Sequence, residues 1–150
     1  MTDAGTILIV EDEKILAADL ESKLRQLGYR VDGIARSGEE AVRLAQDRAP
    51  SLVLMDVRLA GTMDGVEAAR QIQANTPVPI VYLTAYSDLF LRNPSIMQAP
   101  GLCVAKPFVI SDLREVIEIA LRPDGTPRAP QLCLLKRWAA RPIHTDLAAR

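Results

Sequence analysis

The chain has 150 residues, 49% of them hydrophobic and 25% charged, with a net charge of −1. Such a composition describes one globule, or one globule with an appendage. It gives no electrostatic reason for nucleic-acid or membrane binding, and the longest apolar runs are too short to cross a bilayer. The first residues lack the basic start and long apolar region of a signal peptide. Cys103 and Cys133, 30 residues apart, form neither a disulfide framework nor a metal motif. A reducing cytoplasm is the expected location.

Residues 6–10, TILIV, are a continuous apolar run, as in a strand covered on both faces. The run ends abruptly in Glu11, Asp12 and Glu13. Like charges repel, and burying them is costly, so a positive group is expected at this strand tip. Residues 14–27 place Leu16, Leu20, Leu24 and Leu27 on one helical stripe that Gly28 terminates. A second strand, RVDGI, covers 30–34. Ser37 and Glu40 form a capping-box pair that opens a helix over 38–48, with Val42 and Leu44 to bury. SLVLM at 51–55 is the third strand and leads into Asp56. Asp64 and Glu67 make an acidic start to a helix over 65–74.

The fourth strand, VPIVYL at 78–83, leads into Thr84-Ala85. A helix between Ser87 and Gly101 is expected to be short or broken, because Pro94 sits in its middle. The fifth strand, GLCVA at 101–105, leads into Lys106-Pro107. Ser111 or Asp112 is the expected cap of a helix over 112–121, whose apolar face is Leu113, Val116, Ile117 and Ala120. Five strand–helix repeats with apolar strands predict an α/β fold, a doubly wound parallel (βα)₅ sheet with a C-terminal extension. In such sheets ligands bind beyond the carboxyl ends of the strands.

The strand ends carry a joint pattern. A strand order of 2-1-3-4-5 makes strands 1 and 3 neighbours, with tips ~5 Å apart. Asp12 and Asp56 can then share one hard cation, and carboxylates with backbone carbonyl and water are the ligand style of Mg²⁺. Thr84 offers a hydroxyl, and Lys106 a fixed positive charge in a chain with only four lysines against 14 arginines. Metal, hydroxyl and ammonium around a carboxylate are what phosphoryl transfer to that carboxylate needs. Taken singly, each residue has a plainer role. Asp56 suits a turn, Thr84 a strand, Lys106 a solvated loop, and Glu13 the start of a helix. The weight lies in four of five strand ends carrying the right chemistry in the right order.

The stretches LIVEDE, LVLMDVRLAGTMDGVEAA, VPIVYLTAYSD and VAKPF resemble the receiver domain of two-component response regulators over about residues 5–121. The resemblance implies a flavodoxin-like fold with Asp56 as phosphoacceptor. It implies Mg²⁺ held by Asp12, Asp56 and the backbone carbonyl of Arg58, with Glu11 acting through water. Thr84 is then the switch hydroxyl and Lys106 the phosphoryl-binding lysine. A histidine kinase or phosphotransfer protein is the implied donor, and slow self-catalysed dephosphorylation the implied reset. Arg58 and Tyr86 occupy positions that border the hydrolytic water's path, and their bulk predicts slow decay. Two features depart from the common pattern. The loop LAGTMDG is one residue longer, with Ala60 where proline is frequent. Cys103 stands in the switch region where receivers usually carry an aromatic, so activation is expected to be read from Thr84, the loop after it with Tyr86, and the short fourth helix, and not from position 103.

The charge is unevenly spread. Residues 1–121 carry a net −5, and residues 122–150 a net +4 with four of the ten prolines. The expected division is a receiver over 1–121, a linker over 122–130 and a tail over 131–150. In the tail, Leu132, Leu135 and Trp138 make one apolar stripe of a short amphipathic helix. It is expected either to fold back or to act as a swapped arm in a homodimer. No DNA-binding or enzymatic output domain fits in 29 residues, so a stand-alone regulator that presents a switched surface to a partner protein is expected. The alternatives are a pseudo-receiver that takes no phosphate, or a phosphorelay intermediate without direct output. A phosphohydrolase would favour a D-x-D loop after strand 1, and a flavin site a hydroxyl- and glycine-rich loop; EDEK supplies neither.

Overall fold

The computed structural model of the chain describes residues 5–85, 102–106 and 108–122. Five strands, β1 (Thr6–Val10), β2 (Arg30–Ala35), β3 (Leu52–Asp56), β4 (Ile80–Ala85) and β5 (Leu102–Lys106), form one parallel sheet in the order 2-1-3-4-5. Among the described residues four helices accompany them: α1 (Lys14–Gln26), α2 (Gly38–Arg48), α3 (Gly65–Asn75) and α4 (Ile110–Ala120). The fold is the flavodoxin-like arrangement expected from the alternating pattern.

The strands are apolar because both faces are covered. Ile7, Ile9, Leu52, Leu54, Val81 and Leu83 pack on one side with α1 and α4. Leu8, Val10, Val53, Met55, Tyr82 and Cys103 pack on the other with α2 and α3. Alternation along each strand assigns neighbouring residues to opposite layers. β1 and β2 shift register between Ile7 and Leu8, leaving Asp32 as the extra residue of a bulge.

The register sets the site. Val10 pairs with Met55, so Glu11 and Asp56 stand at one level. Asp56 pairs with Leu83, and Ala85 with Lys106. The structure extends β3, β4 and β5 one or two residues beyond the expected ends. The polar residues Asp56, Thr84 and Lys106 belong to the ladder, although they break the apolar run.

Of the described helices, α2 and α3 have side-chain N-caps, whereas α1, whose N-cap residue is Glu13, and α4 have none. The Ser37 hydroxyl accepts from Glu40 N–H at 3.1 Å, while Glu40 Oε1 accepts from Arg36 N–H at 2.8 Å, one residue before the cap. Asp64 accepts from Glu67 N–H at 2.9 Å. The last helix starts earlier than expected: Val109, not Ser111 or Asp112, is its N-cap, and it has no side-chain cap bond. Asp112 lies within the first turn, where its charge suits the helix dipole.

Two helical faces also differ from expectation. In α2, Ala41 and Ala45 are fully buried, and Val42 and Leu44 only partly, because the small side chains let the helix sit close. In α1, Ala17, Leu20 and Leu24 face the core, whereas Leu16 is 39% exposed. The first turn of α1 borders an open recess, which leaves Leu16 partly uncovered. Among the described residues, no helix is long and apolar enough to cross a membrane. The helix expected between Ser87 and Gly101, the linker beyond Arg122 and the tail lie outside the described residues.

Candidate functional site

Parallel pairing of β1 and β3 delivers two acidic tips to one place. Glu11, Asp12 and Asp56 each offer a carboxylate oxygen, and these oxygens lie within 4.8 Å of one another. Lys106, from the end of β5, meets them. Its Nζ donates to Asp56 Oδ2 at 3.4 Å and stands 3.7 Å from Glu11 Oε1. The positive partner expected from the abrupt end of β1 is therefore Lys106.

Each carboxylate is held differently. Asp56 is buried, and its Oδ1 accepts from Arg58 N–H at 3.1 Å. Asp12 is half-buried, and its Oδ2 accepts from Ala60 N–H at 3.1 Å. Glu11 is only 1% exposed. Its Oε2 accepts from Glu13 N–H at 3.2 Å, but its buried Oε1 has no hydrogen-bond partner among the described residues. Burial and then the Asp56 charge push the Glu11 carboxyl up to about 7. Lys106 offsets part of this, but the ammonium is itself 30% exposed and not within hydrogen-bonding range of Glu11. A hard cation fits this donor set: clustered oxygens, excess negative charge and one orphaned buried carboxylate oxygen.

The loop after β3 is shaped by two glycines. Gly61 has φ +102°, a conformation side chains disfavour, and opens the turn that brings Ala60 N–H onto Asp12. At Gly65 the first residue of α3 donates N–H to Val57 O at 2.8 Å. A Cβ there would collide with the Asp56 carbonyl oxygen. The helix thus buttresses the backbone that carries Asp56.

Thr84 is buried beside β3, one residue beyond the partner of Asp56. Its hydroxyl donates to Ala85 O at 3.3 Å. Cys103 does not join the acidic group. It lies opposite Tyr82 in the layer under α2 and α3, and burial pushes its thiol up to about 12. Tyr86 lies outside the described residues, as does Pro107. Two features escaped the sequence reading. Ala60 acts through its backbone, which composition cannot reveal; the neighbouring glycine was the available signal. Tyr82 reads as an ordinary strand residue, yet its buried hydroxyl has no hydrogen-bond partner among the described residues, and burial pushes it up to about 12.

Sheet order, acidic cluster and lysine together define a class of α/β domain whose chemistry sits on strand tips. Residues 7–118 match the family model described as the response regulator receiver domain. The chain belongs to that family, the receivers of two-component systems. It is 42% identical over 115 residues to the transcriptional regulatory protein PdtaR of Mycobacterium tuberculosis, covering 77% of this chain and 56% of the relative. It is 38% identical over 119 residues to the phyllosphere-induced regulator PhyR of Methylorubrum extorquens, covering 79% of this chain and 44% of the relative. The chain thus spans about half the length of these curated relatives. Among solved structures, it resembles the receiver domain of the sensor histidine kinase PA1611 from Pseudomonas aeruginosa, which has a magnesium ion coordinated in its active-site cleft. The TM-score is 0.69 at 35% identity, covering 78% of this chain and 97% of that one.

Proposed function

We propose that this receiver accepts a phosphoryl group on Asp56 from a histidine kinase or phosphotransfer protein and thereby switches a surface for a partner protein. The observation that carries the reading is the placement of Asp56 between two further carboxylates and the Lys106 ammonium, 3.4 Å away. An Asp56 oxygen attacks the donor phosphorus, the bond from phosphorus to the donor breaks, and the donor atom keeps the electron pair. The product is an acyl phosphate.

Glu11, Asp12, Asp56 and the Arg58 carbonyl are the groups that would hold Mg²⁺. The ion, when bound, neutralises charge on the carboxylates and the transferring phosphoryl group. Lys106 holds a fixed positive charge beside Asp56 and draws the phosphoryl oxygens toward it. The Thr84 hydroxyl must turn from Ala85 O to donate to the phosphoryl group, and that turn is a local change the surface can report. The bulk of Arg58 next to the site favours slow loss of the phosphoryl group.

The test is intact-mass measurement of the full chain after acetyl phosphate and Mg²⁺. Wild type gains about 80 Da, one covalent phosphoryl group. Asp56→Asn gains nothing, while its circular dichroism stays that of wild type. Wild type without the adduct would favour a pseudo-receiver, and an adduct retained in Asp56→Asn would move the acceptor elsewhere.

A further inference from the structure

The described residues include only three exposed large hydrophobic side chains: Ile15 at 83%, Leu16 at 39% and Val109 at 52%. Leu16 lines a recess, and Ile15 and Val109 are the chain neighbours of its lining residues Leu16 and Phe108. A cavity of about 380 Å³ opens between the first turn of α1 and the segment before α4. Its apolar wall is Leu16, Leu20, Leu83 and Phe108, and its charged lining is Glu11, Asp19, Lys23 and Lys106. It is therefore an apolar recess against one flank of the acidic site. Scattered exposed apolar residues need no explanation, but an open recess with an apolar wall does.

We propose that the occupant is this chain's own C-terminal segment, residues 131–141, seated as a helix with Leu132, Leu135 and Trp138 in the recess. Three observations support it. First, the reach is sufficient. Helix α4 returns to the starting edge of the sheet, where Leu121 Cδ1 lies 3.9 Å from where a Gly5 Cβ would be. From there to the recess is about the length of α4, ~16 Å for its 11 residues. Residues 122–130 form a proline-rich stretch of nine that extends to ~28 Å. Second, the overall charges are opposite: the stretch 122–150 carries net +4 and the preceding residues net −5, while the recess's own charged lining, Glu11 and Asp19 with Lys23 and Lys106, is balanced. Third, the chemistry matches. The segment carries an apolar stripe that an isolated helix of this length cannot stabilise in water, and the recess supplies an apolar wall of Leu16, Leu20, Leu83 and Phe108. The docked segment covers the flank on which Lys106 and Glu11 open.

The chain reports on this itself. Cys103 is buried with its thiol held protonated, so a thiol-reactive nitroxide attaches to Cys133, which lies off the Leu132–Leu135–Trp138 stripe. In the full ¹⁵N-labelled chain, the nitroxide should broaden the amide signals of Leu16, Leu20, Phe108 and Val109 and spare those of α2 and α3 across the sheet. Mixing nitroxide-bearing unlabelled chain with ¹⁵N chain that carries no nitroxide should produce no broadening. Broadening in the mixed sample would assign the recess to a second copy's tail, and broadening elsewhere or nowhere would remove the tail from it; either overturns the proposal. Trp138, the chain's single tryptophan, gives a second reading. Leu16→Asp, at a partly exposed position that tolerates charge, should shift its emission to the red. Emission unchanged in a folded Leu16→Asp chain would also overturn the proposal.

Discussion

Strands β1 and β3 have two ends, and the two ends are built on opposite rules. At the starting edge the groups are neutral and mutually satisfied. Thr6 N–H donates to Ser51 Oγ at 3.2 Å, Ser51 N–H donates to Thr6 O at 2.9 Å, and Arg30 N–H donates to Gly5 O at 3.1 Å. At the finishing edge three carboxylates crowd together, one lysine stands against two of them, and a buried Glu11 oxygen lacks a hydrogen-bond partner among the described residues. The strands between are fully apolar and the same for both ends. The difference teaches that the sheet is a lever: well-paired at one end, it can hold costly charges at the other, where a ligand can compensate for them.

The comparison breaks most visibly at Asp12. If the finishing edge is kept acidic for a cation, Asp12→Ala should weaken Mg²⁺ binding at least tenfold, since a direct carboxylate ligand is lost. Calorimetric titration of the full chain measures it. Affinity equal to wild type would mean that the cluster binds no cation through Asp12, and the lever would have lost its purpose.

A sharper version concerns sign. The Glu11 carboxyl is raised from 4.5 to about 7 in the folded chain. A raised carboxyl favours the protonated form in the folded state. Its contribution is thus neutral below about 4.5, and stability is lost as pH climbs from there to about 7, then levels. Metal-free wild type should melt lower at pH 8 than at pH 5.5 on this account. Glu11→Gln keeps the shape without the charge, so it should raise the metal-free melting temperature at pH 8 by about 5 °C, corresponding to about 1 kcal/mol, and flatten the pH dependence. Thermal melts in a chelating buffer at the two pH values decide it. Identical slopes for the two chains would show that charge crowding at Glu11 is not what the finishing edge costs.

The sequence made the finishing edge legible for a physical reason. Buried parallel strands read as apolar runs, so the first polar residue after each run marks a tip, and Asp56, Thr84 and Lys106 stand out. The order of strands then brings those tips together. What the runs could not show is that these three residues still pair within the ladder, since hydrogen bonding is blind to side-chain polarity. Nor could a helical wheel show that Leu16 faces an open recess, because a wheel carries no neighbouring elements. Ala60 was invisible for a third reason: its contribution to Asp12 is a backbone N–H, common to every residue but proline. The last helix was given a side-chain cap by composition, whereas Val109 begins it through backbone geometry alone.

The smallest effect lies at the starting edge, and its sign is the opposite one. Ser51 is exposed, and its hydroxyl receives the Thr6 N–H at the point where β1 and β3 begin to pair. Removing it leaves that N–H to water, because the position is open. The cost is therefore that of a solvent-accessible hydrogen bond, about 0.5–1 kcal/mol, and not that of a buried orphan. Ser51→Ala should lower the urea midpoint with its slope unchanged, at pH 5.5 and at pH 8 alike, since no ionisable group is involved. Phosphorylation by acetyl phosphate should proceed as in wild type, because the five-residue strands separate the substitution from Asp56 by the full height of the sheet. A Ser51→Ala chain that lost the adduct while remaining folded would show that the two ends are coupled through the strands, and that the paired edge does more than hold the charged one in place.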